Sequence, residues 1–154
     1  MKKLTRFSAF LLSNLLISLA LSSSASAQTI VCLETELADV CMELLDTEAP
    51  ATTQNFLSYV NRGYYRSSFF HESVNDGENT YLQAGGFVLT GLGGLQGIQA
   101  VTPTRAPVSN EISISNTRGT LAMVPDDPNN PDSATFQFLI NVTDNPALDT
   151  LNGG

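Results

Sequence analysis

Few residues in this 154-residue chain offer a place for chemistry to start. His71 is the sole histidine, so a metal site built from several imidazoles cannot form. No G-x-S-x-G stretch supplies a serine nucleophile. The run Gly91-Leu92-Gly93-Gly94-Leu95-Gln96-Gly97 has the glycines of a phosphate loop but no lysine, and it reads as a surface loop. The acidic stretch from Asp126 to Asp132 lacks the order of a calcium loop. Cys32 and Cys41 fit neither a C-x-x-C redox pair nor a zinc knuckle. The expectation is a protein with no metal and no cofactor, and these residues alone name no reaction.

The elements that must carry these residues are mostly strands. Thr29–Thr35 and Asp39–Leu45 flank a polar turn and read as a hairpin. In a hairpin with a two-residue loop, opposed positions have an odd residue-number sum. Residues 32 and 41 meet that condition, so both cysteine side chains leave one sheet face. They are either a disulfide or two buried thiols. Pro50 in a first turn, apolar Phe56, Leu57, Tyr59 and Val60, and Gly63 after Arg62 bracket a helix of about thirteen residues. Ser67–His71 reads as a short aromatic strand, Ser73–Thr80 as a polar loop, and Tyr81–Leu89 as a strand. Residues 90–110 read mostly as loop. Two more strands are expected near Gly119–Val124 and Phe136–Val142, separated by the polar run Asp126–Ser133. Many short strands with turn chemistry and one helix make a β-rich barrel or sandwich.

The N-terminal end carries a different message. Lys2, Lys3 and Arg6 precede an apolar run from Phe7 to Leu21, and small residues lead to Ala25-Ser26-Ala27. That pattern is a cleavable secretory signal peptide over residues 1–27. A spanning helix needs about 20 apolar residues, and Ser8, Ser13, Asn14 and Ser18 dilute this shorter stretch. The expected destination is the periplasm or the cell exterior, with no membrane contact after cleavage. Residues 28–154 hold four arginines and no lysine against all fifteen acidic residues, so they are more acidic than the net −8 of the whole chain. Such a surface repels phosphate backbones, which excludes nucleic acid as a partner. An oxidising compartment permits a Cys32–Cys41 disulfide.

Three stretches resemble the cyclophilin family of peptidyl-prolyl isomerases, especially its exported bacterial branch. The first runs from Ala49-Pro50 through Asn55-Phe56-Leu57-Ser58-Tyr59-Val60 to Gly63-Tyr64-Tyr65. The second is Ser68-Phe69-Phe70-His71 followed by Gln83-Ala84-Gly85-Gly86-Phe87. The third is Asn116-Thr117-Arg118-Gly119-Thr120-Leu121-Ala122-Met123, continuing into Ser133-Ala134-Thr135-Phe136-Gln137-Phe138-Leu139-Ile140-Asn141. The resemblance extends from about Ile30 to the last residue. It implies a mostly β fold, an eight-stranded antiparallel β-barrel with capping helices and a peptide groove on its outside. The family pattern continues beyond Leu148-Asp149 with a closing strand, so the expectation is a domain over 28–154 that lacks its last strand or strands.

The implied reaction suits a site without metal or nucleophile. An X–Pro amide rotates slowly because resonance stiffens the C–N bond, with a barrier of about 18–20 kcal/mol. Catalysis requires only that the twisted amide be stabilised preferentially. The resemblance implies that Gln83 holds a substrate carbonyl and that Leu148 lines the proline pocket. Gln137 matches the family's second glutamine, and Phe138 the aromatic after it. Leu139 stands at the main pocket phenylalanine and Tyr81 at a pocket methionine. Phe70 belongs to the same substrate-binding set. Ala147 stands at a groove aromatic, and Val124-Pro125 at an alanine–asparagine pair. The sharpest departure is at the catalytic arginine: the family reads Phe-His-Arg and this chain reads Phe70-His71-Glu72. An ionised carboxylate cannot donate to the prolyl nitrogen. The expected partners are proline-containing unfolded or exported polypeptides, handled by a monomer. Activity is expected to be weak unless Arg66 or another cation reaches the site, and the alternative role is a non-catalytic proline-peptide binder or holdase.

Overall fold

In the computed structural model, residues 28–91, 97–111 and 114–151 are described; the expected signal segment, 1–27, lies outside them. The elements in chain order are β1 (Ile30–Leu33), β2 (Val40–Glu43), α1 (Pro50–Asn61), β3 (Glu72–Asn75), β4 (Thr80–Ala84), β5 (Phe87–Thr90), β6 (Gly97–Ala100), β7 (Leu121–Asp127), β8 (Asn130–Asn141) and α2 (Ala147–Leu151). Every pairing is antiparallel. A four-stranded sheet runs in the order β3-β4-β8-β7, and β1-β2 and β5-β6 form separate two-stranded ribbons. The mostly β architecture with two helices matches the expected class, and the barrel is not closed among the described residues.

Cys32 stands opposite Cys41 in the β1–β2 ribbon, and the two are joined as a disulfide. The connection is longer than a two-residue turn, spanning 34–39, yet it preserves the odd sum and hence the shared face. Helix α1 begins with Pro50 after Ala49, a residue with no side chain able to cap. Glu111 takes over that role from a distant loop: its carboxylate accepts from the amides of Ala51 and Thr52 at 3.2 and 2.7 Å. The helix stops at Arg62, and Gly63 follows with φ +72°, the left-handed step that glycine takes without strain.

The core lies between α1 and one face of the four-stranded sheet. Phe138 meets Phe56 and Tyr65 edge-on, with ring centroids 5.7 and 5.4 Å apart. The Tyr65 hydroxyl donates to the Phe136 carbonyl at 2.7 Å, so the aromatic cluster also pins the backbone of β8. Tyr59 is fully buried and its hydroxyl oxygen accepts from the amides of Thr104 and Arg105, tying the loop after β6 to the helix. Ala84, Phe138 and Met123 face one another across β4, β8 and β7 and belong to this core. Because side chains alternate along a strand, their neighbours at Gln83, Leu139 and Ala122 project from the opposite, outer face.

Four strand boundaries differ from the sequence reading, each for a local reason. Ser68 makes only an isolated bridge, to Val88, because Ser67 adopts φ +59° and interrupts extension; the strand forms instead at Glu72–Asn75, inside the expected polar loop. The expected strand Tyr81–Leu89 is two strands. Gly85, at φ +92°, turns the chain so that β4 pairs with β8 while β5 pairs with β6. Strand β6 lies within the expected loop 90–110. The polar run Asp126–Ser133 is mostly paired, since Pro128-Asn129 makes a tight turn closed by Asp127, whose carboxylate accepts from the Asn129 amide.

Candidate active site

One rung of the sheet brings together three of the expected site residues, Glu72, Gln83 and Leu139. Glu72 stands opposite Gln83, Gln83 opposite Leu139, and Leu139 opposite Ala122. Directly opposed residues of antiparallel strands share a face, with Cβ atoms about 4.5–5.5 Å apart. Strands β3, β4, β8 and β7 thus present a carboxylate, an amide, a buried leucine and a methyl side by side on the outer face. Ala122 also lines a cavity of ≈140 Å³ that runs along β7 as far as Pro125 and is bounded by Asn116 and Glu111.

Gln137 lies two residues before Leu139 and therefore on the same face. Gln83 Nε2 donates to Gln137 Oε1 at 3.1 Å, with Oε1 assigned as the acceptor. The seat for Gln137 is made by the glycine pair. A Cβ on Gly86 would fall 2.7 Å from Gln137 Oε1 and 3.0 Å from His71 Cε1. A Cβ on Gly85 would fall 2.8 Å from the Phe136 carbonyl oxygen. His71 packs its ring edge-on to Phe87 at 4.9 Å, and its backbone amide donates to the Gln83 carbonyl. It shapes the wall beside the glutamine pair. The sequence reading missed Gly86 as part of the site; the glycine pair directly after Gln83-Ala84 was the available signal.

The next rung on this face is Val74–Tyr81–Asn141. Partial burial pushes the Tyr81 phenol upward, and the nearby charges of Glu72 and Asp76 push it further the same way. Asn141 opens a buried amide chain. It donates to Asn116 Oδ1 and Thr120 Oγ1, and it accepts from Asn145 Nδ2 at 2.7 Å. Asn145 in turn closes on Thr80, accepting from its amide and donating to its carbonyl. Helix α2 starts from this anchor: the Leu148 amide donates to the Asn145 carbonyl, and Leu148 is buried at 7% exposure. Asp149 locks the other side. Its carboxylate accepts from the Ser115 hydroxyl and from the amide and side chain of Asn116, which hold it below the usual carboxylate range. Leu148 is therefore tied, through Asn145, to Thr80 and Asn141 by side-chain amides, an anchor that the sequence reading did not identify.

Two expected site residues lie elsewhere. Phe138 is only 2% exposed and projects inward to Phe56 and Tyr65, so strand alternation removes it from the outer face. Phe70, 41% exposed, lines a cleft of ≈660 Å³ with Ala84 and Phe138 on the core side of the sheet, because the chain is irregular between Ser67 and β3. Arg66 lines the same cleft, and its guanidinium base rests on Gly63. That position leaves Arg66 off the Glu72–Gln83 rung, so it does not supply the donor that the exception to weak activity required. Ala147 is exposed at the start of α2, and Pro125 pairs with Ala134 past a bulge in β7. Among the described residues, no group of three or more His, Cys, Asp or Glu side chains is placed to hold a metal ion. No helix among them is long and apolar enough to cross a membrane.

Comparison with known proteins places this geometry in context. Residues 30–152 match the family described as cyclophilin type peptidyl-prolyl cis-trans isomerase/CLD. A peptidyl-prolyl cis-trans isomerase of Acinetobacter baylyi is 40% identical over 132 residues, covering 84% of this chain and 63% of the relative. Peptidyl-prolyl cis-trans isomerase B of Escherichia coli is 38% identical over 120 residues, covering 77% and 65%. Peptidyl-prolyl cis-trans isomerase A of Dickeya dadantii is 36% identical over 128 residues, covering 82% and 60%. The chain thus spans less than two thirds of the length of these relatives. The crystal structure of a cyclophilin type isomerase from Cryptosporidium parvum superposes with a TM-score of 0.59 at 22% identity, covering 82% of this chain and 85% of that one, a likeness of fold. The matched span and the relatives together make this chain a member of the cyclophilin-type peptidyl-prolyl cis-trans isomerase family.

Proposed function

We propose that the chain grips X–Pro segments on the outer face of its four-stranded sheet and accelerates rotation of the prolyl bond only weakly. Gln83 and Gln137, already bonded to each other, orient the peptide backbone; Leu139, Tyr81 and Leu148 supply apolar surface for the ring. The observation that carries the weak-activity half is the pairing of Glu72 with Gln83. As the amide twists, the prolyl nitrogen gains a lone pair, and a fixed donor aimed at it is the main source of rate. Glu72 offers no proton when ionised and repels that electron density. The same observation favours a second reading, a proline-peptide binder or holdase without turnover.

The clients in this reading are proline-containing unfolded or newly exported polypeptides, met in the periplasm or outside the cell by a monomer after removal of residues 1–27. The cationic, apolar and small-residue order of that segment supports export, as does the Cys32–Cys41 disulfide. Titrating a capped X–Pro peptide against the isotopically labelled protein tests the binding half. Shifts should concentrate at Gln83, Gln137, Leu139 and Leu148. Shifts confined to the cleft near Phe70 and Arg66 would place binding on the wrong side of the sheet.

A further inference from the structure

The charge at the centre of the outer face carries an inference about which proline segments bind. Glu72 is exposed, and its carboxylate forms no hydrogen bond or ion pair among the described residues. It stands directly across from Gln83, whose amide is the backbone-orienting group of the proposed function. None of the four arginines makes an ion pair with Glu72 among the described residues. Arg66 rests on Gly63, Arg62 and Arg105 line a hollow beside α1, and Arg118 sits in the turn whose amide donates to Asp144. The side-chain charges acting on the Tyr81 hydroxyl, on the same face, are those of Glu72 and Asp76, so the apolar end of the site also feels a negative field.

We infer that Glu72 makes this site selective for proline segments flanked by lysine or arginine. The inference rests on the proposed binding face. A peptide held at Gln83 brings the side chains next to its proline within a few ångströms of the Glu72 carboxylate. A cation there gains a solvent-exposed ion pair, worth about a two- to fivefold change in affinity. An acidic neighbour loses by a similar factor. Both effects shrink when salt shortens the screening length.

The test uses capped peptides in which both residues beside proline are lysine, glutamine or glutamate, titrated by NMR at low and at about 0.5 M salt. The expected order of affinity is lysine, then glutamine, then glutamate, converging at high salt. Glu72→Gln should collapse the lysine-to-glutamate ratio, while Asp127→Asn, on the β7–β8 turn, should leave that ratio in place. Equal affinities for the three peptides at low salt would overturn the selectivity and leave the proposed function standing. A lysine preference that survives Glu72→Gln would overturn its assignment to Glu72. Failure of all three peptides to bind would overturn both the selectivity and the binding face beneath it.

Discussion

Gln83 donates its side-chain amide to Gln137 across 3.1 Å, joining two strands on the face that also presents Glu72 and Leu139. The bond leaves Gln83 Oε1 and the Gln137 amide nitrogen free of each other, so the pair offers an acceptor and a donor at a fixed spacing. A peptide backbone has the complementary groups. The pair is fixed because Gly86 has no side chain, which lets the Gln137 amide lie beside His71.

Gly86→Ala should therefore push Gln137 aside and weaken X–Pro peptide binding. The loss of one neutral hydrogen bond corresponds to a fall of about two- to tenfold in affinity. Peptide titration checks this, and a thermal melt should show the fold intact. Unchanged affinity would detach Gln137 from the site.

Asn145 is fully buried and satisfies Thr80, Asn141 and Thr143 at once. Asn145→Ala should destabilise the protein by about 2–4 kcal/mol, because several buried partners lose a bond together. A shift in the urea midpoint measures it. A cost under about 0.5 kcal/mol would match an ordinary surface change and contradict the anchoring role.

Asp149 should make the attachment of α2 sensitive to acid. The Ser115 hydroxyl, then the Asn116 amide and side chain, lower its carboxyl below the unfolded value. A depressed group contributes stability that is fully present above the unfolded carboxylate range and is lost as pH falls through the folded value. Melting temperature followed from pH 6 downward should fall in that acidic window, and Asp149→Asn should flatten part of the decline. Asp76 and Glu111 shift in the same direction, so the flattening will be partial.

Reducing the Cys32–Cys41 disulfide removes a short-loop constraint on the unfolded chain, with a separation of nine residues. The expected loss is about 2–3 kcal/mol in the loop-entropy account. Comparing urea unfolding of the native protein with the Cys32→Ser, Cys41→Ser double variant checks this. Equal midpoints would show that the ribbon β1–β2 holds without it.

Much of this was legible because it depends on local chemistry. Pro50 and Gly63 bracket α1, and the odd sum of 32 and 41 implies a shared face from residue numbers alone. The family motifs located Gln83, Gln137 and Leu139 in neighbouring positions. What failed was parity and interruption. Phe138 and Leu139 are both apolar, and only the register of β8 against β4 shows which one turns inward. The break at Gly85 exchanges one sheet partner for another, and a linear pattern of apolar residues does not report such a change. The amide chain from Asn116 to Asn145 joins residues far apart in sequence, so polar residues that look like loop are in fact the frame of α2.

The central claim, that Glu72 suppresses turnover at a face that still binds proline peptides, is tested most directly by exchange NMR. Cis–trans interconversion of one X–Pro peptide would be compared under the native protein and Glu72→Arg at equal occupancy. The account predicts a slow native rate and an acceleration of about tenfold or more when a donor replaces the carboxylate. A native rate already equal to that of Glu72→Arg would contradict it.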